Sequence, residues 1–197
     1  MRKSGRAHFG AWSIDHEFKD VHVLGAWVHD AGLFHSDKPI NSLEDLNGMK
    51  IRGASRTVNM LLEELGASPV GMPVPAVPES LSKGVINAAT LPWGVVSSLK
   101  VPELVHNHTE FTGNALYTAT FLFAMNKDTY NSLPADLQKV IDDNSDIEFS
   151  GFAGSVQEAN VAPSKAAAAT LGNQLVVLDA EQTAIWREAA QPVYDNW

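Results

Sequence analysis

The spacing of apolar positions changes along the chain, and each period predicts an element. In "MKIR" Met49 and Ile51 face one way and Lys50 and Arg52 the other, the two-residue period of a strand. Val58, Leu61, Leu62 and Leu65 then recur at i, i+3, i+4 and i+7, a single stripe on a helix. Ser55 or Thr57 can cap that helix, and Gly66 stands where a C′ glycine would end it. "SPVGMPV" reads as a short extended piece, and "PESLSKG" as a helical turn or two ended by Gly84. "VINAAT" reads as a strand, and "PWGVVSSLK" starts a helix with Pro92 in its first turn. Upstream, Val21, Val23 and Leu24 mark a strand. "DAGLFHSDKPIN" is a loop by its Gly, Asp and Pro content. "SLEDLNGM" is a short helix with Ser42 as N-cap and Asp45 three residues on.

In the second half, "LYTATFLFAMN" is apolar nearly throughout, the pattern of a central strand. "LPADLQKVIDDNS" puts Leu133, Leu137, Val140 and Ile141 on one helix face, which is expected to be core. Helical character continues through "GFAGSVQEANVAPSKAAAATLGN", with Pro163 kinking or interrupting it. "QLVVLD" is a strand and "AEQTAIWREAAQPVYDNW" a terminal helix. Over 49–99 short strands and helices alternate, which predicts an α/β fold with a mostly parallel sheet. Ligands of such sheets sit outside the carboxyl ends of the strands, and Arg52 is at one such end.

Composition narrows the chemistry. With 197 residues, 45% of them apolar, the chain can build a core. A net charge of −9 argues against nucleic acid and against an anionic membrane surface. An anion would need a local cationic pocket. The chain has no cysteine, which removes disulfides, thiolate metal sites and cysteine nucleophiles. The opening "MRKSGRAHFGAW" has no apolar h-region, and no apolar run reaches the ~18 residues of a membrane span. No P-loop, Rossmann glycine fingerprint or G-x-S-x-G occurs; "GFAGSV" comes nearest and lacks the final glycine. No enzyme activity and no cofactor is assigned, and a promiscuous hydrolase is the residual alternative.

Individual residues carry competing readings. Arg52 either binds an anion or makes a structural ion pair with Glu63, Glu64 or Asp45. Arg56, in the first helical turn, opposes the helix dipole and reads as a surface residue. His106, His108 and Glu110 alternate with metal-like spacing, but a solvated loop explains them and no metal is assigned. Trp93 serves a site or the core equally well, and Asn126 reads as a helix N-cap. His16 and His22 receive no role.

Five stretches in order, "INSLEDLNGMKIR", "ELGASPVGMP", "LSKGVINAA", "MNKDTYNSLPADLQKVID" and "WREAAQPVYDNW", resemble the solute-binding proteins of TRAP (tripartite ATP-independent periplasmic) transporters. The likeness covers roughly residues 20–197. It implies a periplasmic binding protein-like (type II-like) α/β lobe with a mostly parallel sheet flanked by helices, plus an incomplete second lobe. Lobe two corresponds to 30–117 with 158–185, and a remnant of lobe one to 20–29 with 118–157; 186–197 is the terminal helix and 1–19 is unassigned. The resemblance implies capture of a small organic acid, periplasmic localisation and membrane transporter subunits as partners. It also implies that Arg52 makes a salt bridge to the ligand carboxylate, which suits a guanidinium's planar fork.

Departures from the family pattern shape the expected pocket. Leu91 replaces a ligand-contacting asparagine, Val74 an aromatic, and Asn87-Ala88 the usual Asp-Gly, while Ala76 stands for a frequent glutamate. With Trp93 beside it, such a pocket favours an apolar or aromatic monocarboxylate over a sugar acid. His29 and His35, flanking the loop expected at the cleft, are further ligand candidates. Family members are longer at both ends, so a bare sheet edge and an apolar lobe-one face are expected, and with them a homo-oligomer. The alternative is a fragment whose ligand binding has lapsed.

Overall fold

The computed structural model describes residues 18–196. Among them eight strands form: β1 (Val21–Val28), β2 (Gly32–Ser36), β3 (Lys50–Gly53), β4 (Ser68–Gly71), β5 (Ala88–Pro92), β6 (Asn107–Phe111), β7 (Thr120–Asn126) and β8 (Gln174–Leu178). The α-helices are α1 (Arg56–Glu64), α2 (Val77–Ser82), α3 (Trp93–Val96), α4 (Val101–Leu104), α5 (Lys127–Asn131), α6 (Ala135–Asp143), α7 (Ile147–Glu158), α8 (Val161–Thr170), α9 (Ala180–Ala189) and α10 (Gln191–Asp195). Leu43–Leu46 and Val74–Ala76 are short 3-10 turns. Residues 1–17, the bulk of the unassigned stretch 1–19 and the place of His16, lie outside the described residues, as does Trp197.

The chain divides into two units: the residues up to His29 with Ala119–Val156, and Asp30–Thr118 with everything from Gln157 on. The second unit is built on a six-stranded sheet in the order β4-β3-β5-β2-β6-β8. β3 pairs in parallel with β4 and β5, and β6 in parallel with β8. β2 runs antiparallel to both β5 and β6, so the sheet is mixed, with three of its five pairings parallel. β2 is the segment read as a loop, and its five residues are all buried. Their Gly, His and Ser content hides the strand, because the sheet buries polar side chains there that bond to one another and to backbone.

Each face of this sheet carries its own core. Phe34, Ile51, Ala88 and Leu178 meet Val58 and Leu62 of α1 and Trp186 of α9 on one face. Leu33, Ala89 and Leu91 meet Val77, Leu81, Trp93, Val96, Val101 and Ala168 of α2, α3, α4 and α8 on the other. Strand alternation distributes these sets. Ile51 faces the first core; Arg52, opposite Ala89 and Val70, faces the second.

Local signals hold in β3–α1. The Ser55 hydroxyl accepts from Val58 N at 3.2 Å and caps α1. Gly66 follows the helix at φ +91°, a left-handed conformation that favours glycine. Asp45 answers at the Leu43–Leu46 turn, accepting from Asn41 N and Ser42 N at 2.8 and 3.0 Å. The strand expected at "VINAAT" begins three residues later, at Ala88. Pro92 therefore ends β5 and caps α3 instead of sitting in its first turn. Pro163 lies in the first turn of α8, where its missing N–H needs no partner. The break before it falls at Ala159–Asn160. The terminal helix is two helices, parted at Ala190.

In the other unit β1 pairs antiparallel with β7, from Val21 opposite Asn126 to Val28 opposite Thr120. The Asn126 side chain accepts from Thr129 N at 2.9 Å and caps α5, as expected. β7 is not a central strand among the described residues. It pairs with β1 alone, and Phe121, Leu122 and Phe123 are 41%, 38% and 49% exposed. The α6 stripe is not core either, since Leu137 and Val140 are exposed. Both patterns encode an apolar face, and a face does not specify what covers it.

Candidate functional site

Arg52 is the penultimate residue of β3, at its carboxyl end, and is 3% exposed. Its Nε donates to Met72 O at 3.2 Å and its Nη1 to Thr90 O at 2.9 Å. Thr90 answers with its own hydroxyl, which donates to Arg52 O at 3.0 Å. No ion pair to Glu63, Glu64 or Asp45 forms. Burial lowers the guanidinium's proton affinity, and the charge and hydrogen bonding of Tyr117 offset part of that. The group stays charged regardless. The site thus holds a buried cation bonded to two carbonyls, beside a phenol that shares one of them, with N–H donors to spare of its five.

Tyr117 belongs to the same unit. Its hydroxyl donates to Thr90 O at 3.3 Å. Burial raises its pKa, while Arg52 and the hydrogen bond to Thr90 act against that rise. Asp30, whose carboxylate accepts from Gly94 N at 3.3 Å, adds to it. Nearby over Gly53, Asn59 Oδ1 is buried without a hydrogen-bond partner among the described residues.

A second polar group lies on the same sheet face. Trp93 Nε1 donates to Glu110 Oε1 at 2.6 Å, and Lys165 Nζ pairs with that oxygen at 2.5 Å. Lys165 also sits 5.8 Å from the centre of the Trp93 ring, within cation–π range. Beneath the indole, His35 Nδ1 and His108 Nδ1 are 2.8 Å apart. The proton assignment follows from the outer partners. His35 Nε2 faces Leu91 O at 3.2 Å and must carry a hydrogen. His108 Nε2 accepts from Asn173 Nδ2 at 3.1 Å, so its hydrogen is on Nδ1 and points at His35. Asn173 is oriented by Pro102 O, 2.8 Å from Nδ2, and by His106 Nδ1, 3.1 Å from Oδ1. Both buried imidazoles are neutral. Burial lowers His35 to about 3 and His108 to about 4.

Of the residues singled out in the sequence, the larger unit brings Arg52, Val74 and Trp93 to the carboxyl ends of β3, β4 and β5. Val74 opens the turn just after Met72 and is 36% exposed. Trp93 is 3% exposed and is first of all a core residue. Two candidates are corrected. His35 is fully buried in β2 with both ring nitrogens engaged, which leaves nothing for a ligand. Leu91 lies within β5 and points into the second core at 1% exposure. His29 belongs to the smaller unit, where its Nε2 accepts from Ala119 N at 3.0 Å. Arg56 is exposed on α1 as expected. His106, His108 and Glu110 do not converge, and among the described residues no group of three or more His, Cys, Asp or Glu could hold a metal. Ser155 of "GFAGSV" is inside α7, bonded to Phe152 O at 2.8 Å, and forms no nucleophile elbow. Sequence reasoning missed Tyr117, Thr90 and the His35–His108 pair.

Comparison with known proteins bears on this site. Residues 5–197 match the DctP family, described as bacterial extracellular solute-binding protein, family 7. A TRAP solute binding protein from Rhodoferax ferrireducens T118, solved in complex with copurified benzoate, is 48% identical with a TM-score of 0.88; the match covers 92% of this chain and 57% of that one. A marine metagenome TRAP solute binding protein specific for aromatic acid ligands, solved with 3-hydroxybenzoate, is 39% identical with a TM-score of 0.88, over 94% of this chain and 60% of that one. The C4-dicarboxylate-binding periplasmic protein DctP of Rhodobacter capsulatus is 27% identical over 185 residues, which are 91% of this chain and 54% of that protein. The chain thus spans little more than half the length of these relatives.

Proposed function

This chain belongs to the bacterial extracellular solute-binding proteins of family 7, and from that premise we propose that it captures a small aromatic monocarboxylate through Arg52. In this reading it acts in the periplasm and passes its ligand to the membrane subunits of a TRAP transporter. The observation that carries the proposal is the state of Arg52. It is a buried cation at the carboxyl end of a sheet strand, bonded to two carbonyls and, among the described residues, to no carboxylate. A buried charge of this kind is costly until an anion reaches it. A ligand carboxylate supplies that anion with charge-assisted hydrogen bonds.

The apolar setting supports an aromatic guest. Val74 stands beside the Met72 carbonyl that orients Arg52, and Trp93 underlies the end of β5. The 48% identical neighbour was solved with benzoate. Thermal-shift screening tests the reading, with benzoate, 3-hydroxybenzoate, succinate and galacturonate offered to wild type and Arg52→Ala. Stabilisation by the aromatic acids in wild type alone is expected. Stabilisation of both proteins alike, or by succinate or galacturonate instead of the aromatic acids, overturns it.

A further inference from the structure

We propose that Tyr117 is a positioning residue for Arg52, fixing the plane in which the guanidinium meets a carboxylate; this rests on the reading of Arg52 given above. The Tyr117 hydroxyl commits its proton to Thr90 O at 3.3 Å, the same carbonyl that accepts from Arg52 Nη1 at 2.9 Å. The phenol and the guanidinium therefore meet on one carbonyl oxygen, near enough for each to shift the other's proton affinity. Arg52 is therefore held at Nε by Met72 O and at Nη1 by Thr90 O, with the phenol seated beside it on the same Thr90 carbonyl. A guanidinium is a rigid planar fork, so contacts along its edge and a third beside them leave it one orientation. Without the phenol, Thr90 O loses its second donor and the guanidinium its neighbour, and the plane can tilt about the Nε anchor.

Tyr117 packs against the first core and is itself fixed by its backbone and by the glycine beneath its ring. Its carbonyl accepts from Gly32 N at 3.0 Å, and Leu116 N donates to Gly32 O at 3.0 Å. The ring then lies directly across Gly32, where a Cβ would overlap it. Gly32 does not have a positive φ, so its backbone does not call for glycine. What needs the missing side chain is the approach of the Tyr117 ring. Asp30 and burial both hold the phenol in its protonated, donating form. A ring that merely filled space would need neither the hydroxyl geometry nor the shared Thr90 carbonyl.

The test uses the full chain, with benzoate as probe and calorimetry as readout, on wild type, Tyr117→Phe, Arg52→Lys and the double variant. Tyr117→Phe keeps the ring and is expected to weaken benzoate about five- to tenfold. In the Arg52→Lys background the same change is expected to cost nothing further, because an ammonium has no plane to orient. Binding within twofold of wild type, or the same loss in both backgrounds, overturns the proposal. A ligand-free readout separates this failure from a failure of the Arg52 reading. In nitrogen-15 spectra the Arg52 side chain is expected to show separate Nη signals in wild type and averaged signals in Tyr117→Phe. Identical spectra refute the positioning role whatever binds. Separate and averaged spectra with unchanged benzoate affinity in Arg52→Ala refute the ligand role of Arg52 instead.

Discussion

The His35–His108 pair makes stability depend on pH in a way that can be worked out beforehand. Each imidazole is neutral, and one shared hydrogen lies between the two Nδ1 atoms at 2.8 Å. A second proton there would set N–H against N–H. Burial first, and then the charge of His108, brings His35 to about 3. Burial first, then His106, brings His108 to about 4, with Glu110 acting in the opposite sense. Unfolded histidine titrates near 6.5. The folded pKa values are thus depressed, and between about pH 4 and 6.5 the unfolded chain binds protons that the folded one refuses. Their contribution is present in full above about 6.5 and is lost as pH falls toward the folded values. Each histidine contributes a slope approaching ~1.4 kcal/mol per pH unit in that window, so from pH 7 to 5.5 the pair lowers stability by about 2.5 kcal/mol. Urea unfolding of wild type and His108→Gln at the two pH values measures this. Glutamine can still donate toward His35 and accept from Asn173, and it does not titrate. The variant is expected to lose about half of the pH-dependent drop. An unchanged drop in His108→Gln would assign the effect to other histidines and refute the assignment.

Three further outcomes are expected. Gly32→Ala costs about 1–3 kcal/mol in urea unfolding through overlap with the Tyr117 ring, and the cost shrinks in a Tyr117→Leu background. Ser55→Ala costs about 1 kcal/mol by removing the α1 cap, with faster hydrogen exchange confined to the first turn of that helix. Glu110→Gln costs no more than about 1 kcal/mol, because Lys165 is partly exposed and the amide oxygen still accepts from Trp93. Glu110→Leu, which strands the buried indole N–H, costs about 1–3 kcal/mol by the same assay.

What could be read from the sequence was local or carried by ordered motifs. The β3–α1 unit follows from alternation, a serine cap and a terminal glycine, and all of these act within a few residues. Arg52 was legible because its place at a strand's carboxyl end is a property of that unit. β2 was not, because its stability comes from partners distant in sequence. His35 meets His108 across 73 residues, and no local period encodes such a pairing. Tyr117 was missed for the same reason: its role depends on Gly32 and on Thr90, 27 residues upstream. Glu110 was grouped with His106 and His108 by spacing, yet its partners are Trp93 and Lys165 from two helices. The apolar runs of β7 and α6 predict burial, yet Phe123, Leu137 and Val140 are exposed, because burial depends on a covering surface that the run itself does not specify.

The most direct measurement is the calorimetric affinity of benzoate for wild type and for Arg52→Ala. Removing one partner of a buried, hydrogen-bonded charge pair costs about 2–5 kcal/mol, so a loss of at least about 30-fold is predicted, with the variant still folded. Equal affinity in the two proteins would contradict the account.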